Sequence, residues 1–121
     1  MTSSVDEDYW QGLQALLSTA RLVVDRPRGR AHPRYPELIY PLDYGYLEGT
    51  ASGDGEGIDV WLGSSDTKKL TGILCTFDTV KRDAEVKLLA GCSAQDIQNI
   101  LQFNQTFIHY LYVPRPQETL T

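Results

Sequence analysis

The chain of 121 residues is poor in cysteine, in basic charge and in long apolar runs. Its two cysteines, Cys75 and Cys92, sit in apolar surroundings without metal-ligand spacing. That predicts buried free thiols rather than a disulfide or a thiolate metal site. No stretch approaches the roughly 20 apolar residues of a membrane span, so no membrane partner is expected. The opening residues, MTSSVDEDYW, are acidic and lack the basic-then-apolar layout of a secretory leader, which makes a cytoplasmic location the expectation. Lys and Arg number 11 against 16 Asp and Glu, and the net charge of −5 argues against duplex nucleic acid. There is no repeat, low-complexity run or internal linker. The length predicts one domain over residues 1–121, and 41% apolar composition is enough to fill one modest core. Oligomeric state is not set by any of this; a homo-oligomer is compatible with it.

What is present divides into two helical patterns around a strand-rich centre. Ser4 and Glu7 have capping-box spacing, and Trp10, Leu13, Leu16, Leu17 and Ala20 follow on one helical face. Residues 21–25 form a short strand pattern. Residues 26–50 carry Pro27, Pro33, Pro36 and Pro41, which forbid a regular helix, and Tyr35, Tyr40, Tyr44 and Tyr46, whose density argues for an ordered segment. Residues 52–57 place a glycine at every second position, predicting a tight loop that exploits positive φ. Ile58, Val60 and Leu62 then alternate with Asp59 and Trp61. Residues 72–78 and 84–92 read as two further strands, the last with Val86, Leu88 and Ala90 inward. Ser93 caps a final helix whose apolar face runs through Ile97, Ile100, Leu101, Phe107, Ile108 and Leu111. The class is α+β: a small, mostly antiparallel sheet or barrel flanked by two helices.

Carboxylates concentrate at strand–loop junctions. Side chains two apart on a strand share a face, so Asp83, Glu85 and Lys87 line one side of the third strand. Asp78 ends the strand before it, Asp54 and Glu56 stand in the glycine loop, and Asp59 lies just inside the following strand. Brought together, these groups would repel one another without a cation. Oxygen ligands without His or Cys suit Mg²⁺ or Mn²⁺, which commonly bridge carboxylates to phosphates. Lys81, Arg82, Lys87 and Arg34 would then neutralise phosphate oxygens. Taken singly, each feature also has a plainer reading: a solvated strand face, a glycine turn, hairpin charges, packing tyrosines. His32 and His109 have no ligand partner at a suitable spacing.

The order of the pieces goes further. Tyr-Pro-Leu-Asp-Tyr-Gly-Tyr at 40–46 is followed by Asp-Gly-Glu-Gly-Ile-Asp-Val at 54–60. Gly-Ile-Leu-Cys-Thr-Phe-Asp then occupies 72–78, with Asp83 beyond it. This arrangement resembles the soluble inorganic pyrophosphatases over roughly residues 22 to 90. In that family a Tyr-Pro-x-x-Tyr-Gly-Tyr segment precedes an Asp-x-Asp-Pro-x-Asp signature and a later aspartate pair. The resemblance implies a five-stranded OB-like β-barrel with flanking helices and Mg²⁺-dependent hydrolysis of pyrophosphate to two phosphates. It places Asp54, Asp59, Asp78 and Asp83 at metal-ligand positions and Tyr44 at a site tyrosine. Glu56 stands where the family's middle aspartate positions or deprotonates the attacking water, so the implied catalytic set is Asp54, Glu56 and Tyr44. Asp25 falls near a site glutamate, and Arg34 near a phosphate-binding lysine. Departures accompany these matches. Gly57 replaces a proline, Glu85 stands where a lysine is usual, and Lys87 lies two residues further on. An arginine-bearing hairpin and a C-terminal Tyr-Lys pair have no counterpart. The alternative implied function is a non-catalytic relative that binds metal, phosphate or a protein partner; a third is hydrolysis of a related phosphorylated small molecule.

Overall fold

The computed structural model describes residues 4–116 except Asp54 and Asp66. Helix α1, Ser4–Thr19, begins with acidic residues Asp6 and Glu7 at its positive end. The Ser4 side chain, and with it the expected capping box, lies outside the described residues. Five strands follow: β1 Leu22–Arg26, β2 Asp43–Leu47, β3 Ile58–Leu62, β4 Leu70–Asp78 and β5 Asp83–Ala90. Helix α2, Ala94–Gln105, and strand β6, His109–Pro114, complete the order.

The strands form one mixed sheet in the order β1-β2-β3-β5-β4-β6, antiparallel except for the parallel pair β3–β5. The α+β class stands, but the five-stranded barrel does not. The sheet is open and six-stranded, with β1 and β6 at its two edges. The reason lies in residues 109–114, the first three of which the apolar spacing from Ile97 to Leu111 assigns to a helix. In the structure α2 stops at Gln105, and the Tyr-Leu-Tyr-Val stretch adds to the free edge of β4. Its aromatic and β-branched residues favour strand. Tyr110 and Tyr112 pack toward one face and exposed Leu111 points to the other.

Each face carries its own core. On one side Trp10 and Leu17 of α1 pack with Leu47, Val60, Ile73, Leu88 and Ala90. On the other, Ile97, Ile100 and Phe103 of α2 pack with Tyr40, Leu42, Tyr44, Trp61, Leu74 and Leu89. Both cysteines are free and half-buried, one beside each core. Burial pushes the Cys92 thiol up to about 12. Because residues alternate, the α2 face also receives Tyr44, Asp59, Asp78, Asp83, Glu85 and Lys87, and the cleft opens there. The proline-rich segment between β1 and β2 is ordered, as its aromatic density predicts. Backbone bonds from Gly29 to Tyr40, His32 to Leu38 and Tyr40 to Arg30 fold it back on itself. Among the described residues no helix is long and apolar enough to cross a membrane.

Candidate functional site

One cleft of about 530 Å³ lies on the α2 face. Strands contribute its floor: Asp25 and Arg26 from β1, Tyr44 and Tyr46 from β2, Asp59 and Trp61 from β3, Asp78 from β4, and Asp83, Glu85 and Lys87 from β5. Asp78 and Asp83 face each other in the β4–β5 register, Tyr44 is opposite Trp61, and Tyr46 is opposite Asp59. The 32–40 segment adds His32, Arg34 and Tyr40. The glycine loop adds Glu56, the β4–β5 turn adds Lys81, and the end of α2 adds Phe103, Asn104 and Phe107.

Of the residues singled out in the sequence, Arg34, Tyr44, Glu56, Asp59, Asp78, Lys81, Asp83 and Lys87 therefore share one cleft, as do Asp25 and the strand-face Glu85. Asp54 lies outside the described residues. Arg82 is not among the lining residues. It is exposed in the turn, held at a positive φ of 59°. In the glycine loop only Gly55 has positive φ among the three alternating glycines.

Lys87 is the electrostatic centre. Its side chain is buried, and its ammonium donates to the Tyr44 hydroxyl at 2.6 Å, to Asp59 Oδ2 at 2.9 Å and to Glu85 Oε2 at 3.4 Å. Burial works against its charge. Tyr44, Asp59 and Glu85 outweigh burial and hold the Lys87 pKa above the ordinary lysine value. Burial also raises the Tyr44 hydroxyl well above its usual value, despite the pull of Lys87, so Tyr44 is neutral at pH 7. Glu85 further accepts from the Ser52 hydroxyl at 3.4 Å.

Asp78 is occupied differently. Its Oδ1 accepts the backbone N–H groups of Val80 at 2.9 Å and Lys81 at 3.1 Å, and Oδ2 lies 3.7 Å from Arg34. The Lys81 and Val80 N–H groups and the Arg34 charge depress its pKa against the opposing effect of burial. This is the local hydrogen-bonding habit of aspartate at turns, and it shapes the β4–β5 connection.

The divalent ion implied by the resemblance can be tested against these donors. Among the described residues no three carboxylates, histidines or cysteines come close enough to hold a metal ion. Asp59 and Glu85 are bonded to Lys87, and Asp78 is bonded to its own turn. As arranged, the described donors do not fit a bound Mg²⁺ or Mn²⁺.

Three further cleft residues, Arg26, His32 and Trp61, were not among the expected site residues. Arg26 donates to the Tyr40 hydroxyl and lies over the rings of Tyr40 and Tyr44 at 5.7 and 5.9 Å. A register irregularity between Val24 and Arg26 accompanies the presence of both Asp25 and Arg26 in the cleft, where regular alternation would separate neighbours. Nothing in the residue pattern announces that bulge. His32 accepts the N–H groups of Arg34 and Tyr35 at Nδ1 and stacks on Tyr40. Burial, then the charges of Arg26, Arg34 and Lys81, lower its pKa. Trp61 was legible, being two residues from Asp59 on the same strand face. Its indole N–H is buried without a hydrogen-bond partner among the described residues, with Tyr44 and Phe103 packed edge-on to the ring.

No protein-family model matches the chain, and no curated protein matches its sequence. Solved structures do share its fold. The inorganic pyrophosphatase from Thermus thermophilus superposes with a TM-score of 0.59 at 18% identity, over 78% of this chain and 81% of that one. An inorganic pyrophosphatase from Coxiella burnetii gives a TM-score of 0.58 at 12% identity, over 78% and 84% of the two chains. At these identities the likeness is one of fold.

Proposed function

We propose that the cleft binds pyrophosphate and that the protein hydrolyses it to two phosphates. One observation carries this reading. The described residues of the pyrophosphatase resemblance, drawn from separate stretches, line a single cleft, on a fold shared with solved pyrophosphatases. Arg34, Lys81 and Arg26 supply positive charge toward phosphate oxygens. Glu56, on the loop opposite β5, takes a proton from a water molecule as its oxygen attacks one phosphorus. The bridging P–O bond breaks, and the second phosphate leaves with the proton returned to it. Tyr44, neutral and hydrogen-bonded to Lys87, positions the ammonium beneath the substrate. Since the described donors do not fit Mg²⁺, no step is assigned to it.

The test is phosphate release from pyrophosphate by the purified protein, with and without Mg²⁺. Glu56→Gln is expected to cut turnover by about 100-fold or more, the scale of a general base. Full activity in that variant would remove Glu56 from the mechanism. A second reading is favoured by the pairing of Lys87 with Asp59 and Glu85: a non-catalytic module that binds phosphate. Pyrophosphate binding measured by calorimetry without any phosphate release would establish it over the first.

A further inference from the structure

Lys87 has three N–H donors, and three acceptors surround it: the Tyr44 hydroxyl, Asp59 Oδ2 and Glu85 Oε2. Its hydrogen-bonding capacity is fully used. The side chain rises from β5, which is paired on both sides, with β3 and with β4, so its root is fixed in the middle of the sheet. Asp59 comes from the neighbouring β3 and Tyr44 from β2 beyond it, so three strands converge on one ammonium. A divalent cation placed between the same two carboxylates would stand within a few ångströms of that positive charge, in a site only 8% exposed at Lys87, where repulsion is weakly screened.

We infer that the Lys87 ammonium is the resident cation of this cleft, tethered between Asp59 and Glu85 in the place where a free divalent ion would otherwise bind. The inference rests on the proposed function only for the ligand the cleft receives; the identity of the resident cation is a property of the ligand-free protein. It also assigns the remaining work. With Lys87 committed to the floor, oxygens of an incoming phosphate anion meet Arg26, Arg34 and Lys81 at the rim.

Removing the tethered charge takes from Asp59 and Glu85 the ammonium that both carboxylates hold, and the uncompensated negative charge recruits a cation. The experiment is Mn²⁺ titration of the full chain without pyrophosphate, followed by calorimetry and by the electron-spin signal of the unbound ion. Lys87→Met is expected to bind Mn²⁺ at least about tenfold more tightly than wild type. Lys87→Arg, which keeps the charge, is expected to show no such gain. Equal Mn²⁺ affinity in wild type and Lys87→Met overturns the inference. Should Lys87→Met fail to fold, Glu85→Gln decides. Glu85 is already spent on Lys87, so this variant keeps wild-type Mn²⁺ affinity to within about threefold, whereas a loss of about tenfold or more means that Glu85 held metal after all. Phosphate release from pyrophosphate is assayed on the same preparations. Its absence removes the proposed function, while the Mn²⁺ result still stands or falls by itself.

Discussion

Gly45 separates Tyr44 from Tyr46, and its missing side chain lets β1 lie close on the sheet. A Cβ there would come 2.0 Å from the Val23 carbonyl oxygen, a backbone atom that cannot swing aside. Gly45→Ala is expected to cost about 2 kcal/mol or more, the upper range for overpacking, read from the urea midpoint. His32 offers a prediction in pH. Its folded pKa lies below the ordinary value of about 6.5, so the unfolded chain takes up the proton first as pH falls. Its contribution is present above about pH 6.5 and declines below it. Protonation at Nδ1 would also forfeit the two N–H groups that Arg34 and Tyr35 donate. The melting temperature should fall between about pH 7 and pH 5, and His32→Asn should flatten that part of the curve. At this scale much of the cleft was legible. Asp83, Glu85 and Lys87 share a face because strands have period two, and Asp59 and Trp61 obey the same rule. The bonds from Lys87 to Asp59 and Tyr44 were not legible, because residues 28 and 43 positions away meet only through strand order.

Helix α2 is fastened at its start by a single carboxylate. Ser93 Oγ accepts the Asp96 N–H, and Asp96 Oδ2 accepts the Ser93 N–H at 2.9 Å, closing a capping box. The same oxygen accepts from Ser64 N and Ser64 Oγ, each at 2.8 Å, tying the helix to the turn after β3. Burial opposes the charge on Asp96. The Ser64 and Ser93 N–H groups, aided by both hydroxyls, outweigh that effect and lower the pKa. The resulting stability is present above the unfolded value of about 4 and is lost as pH falls through the lower folded value. Asp96→Ala is expected to cost about 1–3 kcal/mol, by loss of the cap and by stranding buried donors, in chemical denaturation at neutral pH. The cap itself was visible in the sequence. The end of the helix was not, because residues 97–111 offer apolar positions at helical spacing while 110–113 are also rich in the aromatic and β-branched residues that favour strand. The free edge of β4 settles that ambiguity, and a sheet edge is a property of the assembled molecule.

The whole sheet depends on its last strand. β6 covers β4 and brings Tyr110 and Tyr112 to one core and Val113 to the other. A chain ending at Thr106 would expose the β4 edge together with both cores. It is expected to lose cooperative thermal unfolding and to aggregate, as followed by circular dichroism and gel filtration; a monomer with wild-type melting would contradict that dependence. The α+β class followed from composition and periodicity, whereas openness and strand number did not, since they turn on which edges meet. The parallel pair β3–β5 carries a consequence for the birth of the molecule. β1, β2 and β3 are successive neighbours and can form a meander as they leave the ribosome. β4 pairs only with β5 and β6, both made after it. Until residue 90 has emerged, β4 has no strand beside which to lie, and two halves of the sheet must then be joined across a long stretch of chain. Such distant closures slow folding. The sheet closes only after β5 has been made, with the cleft assembled at the moment the two halves join.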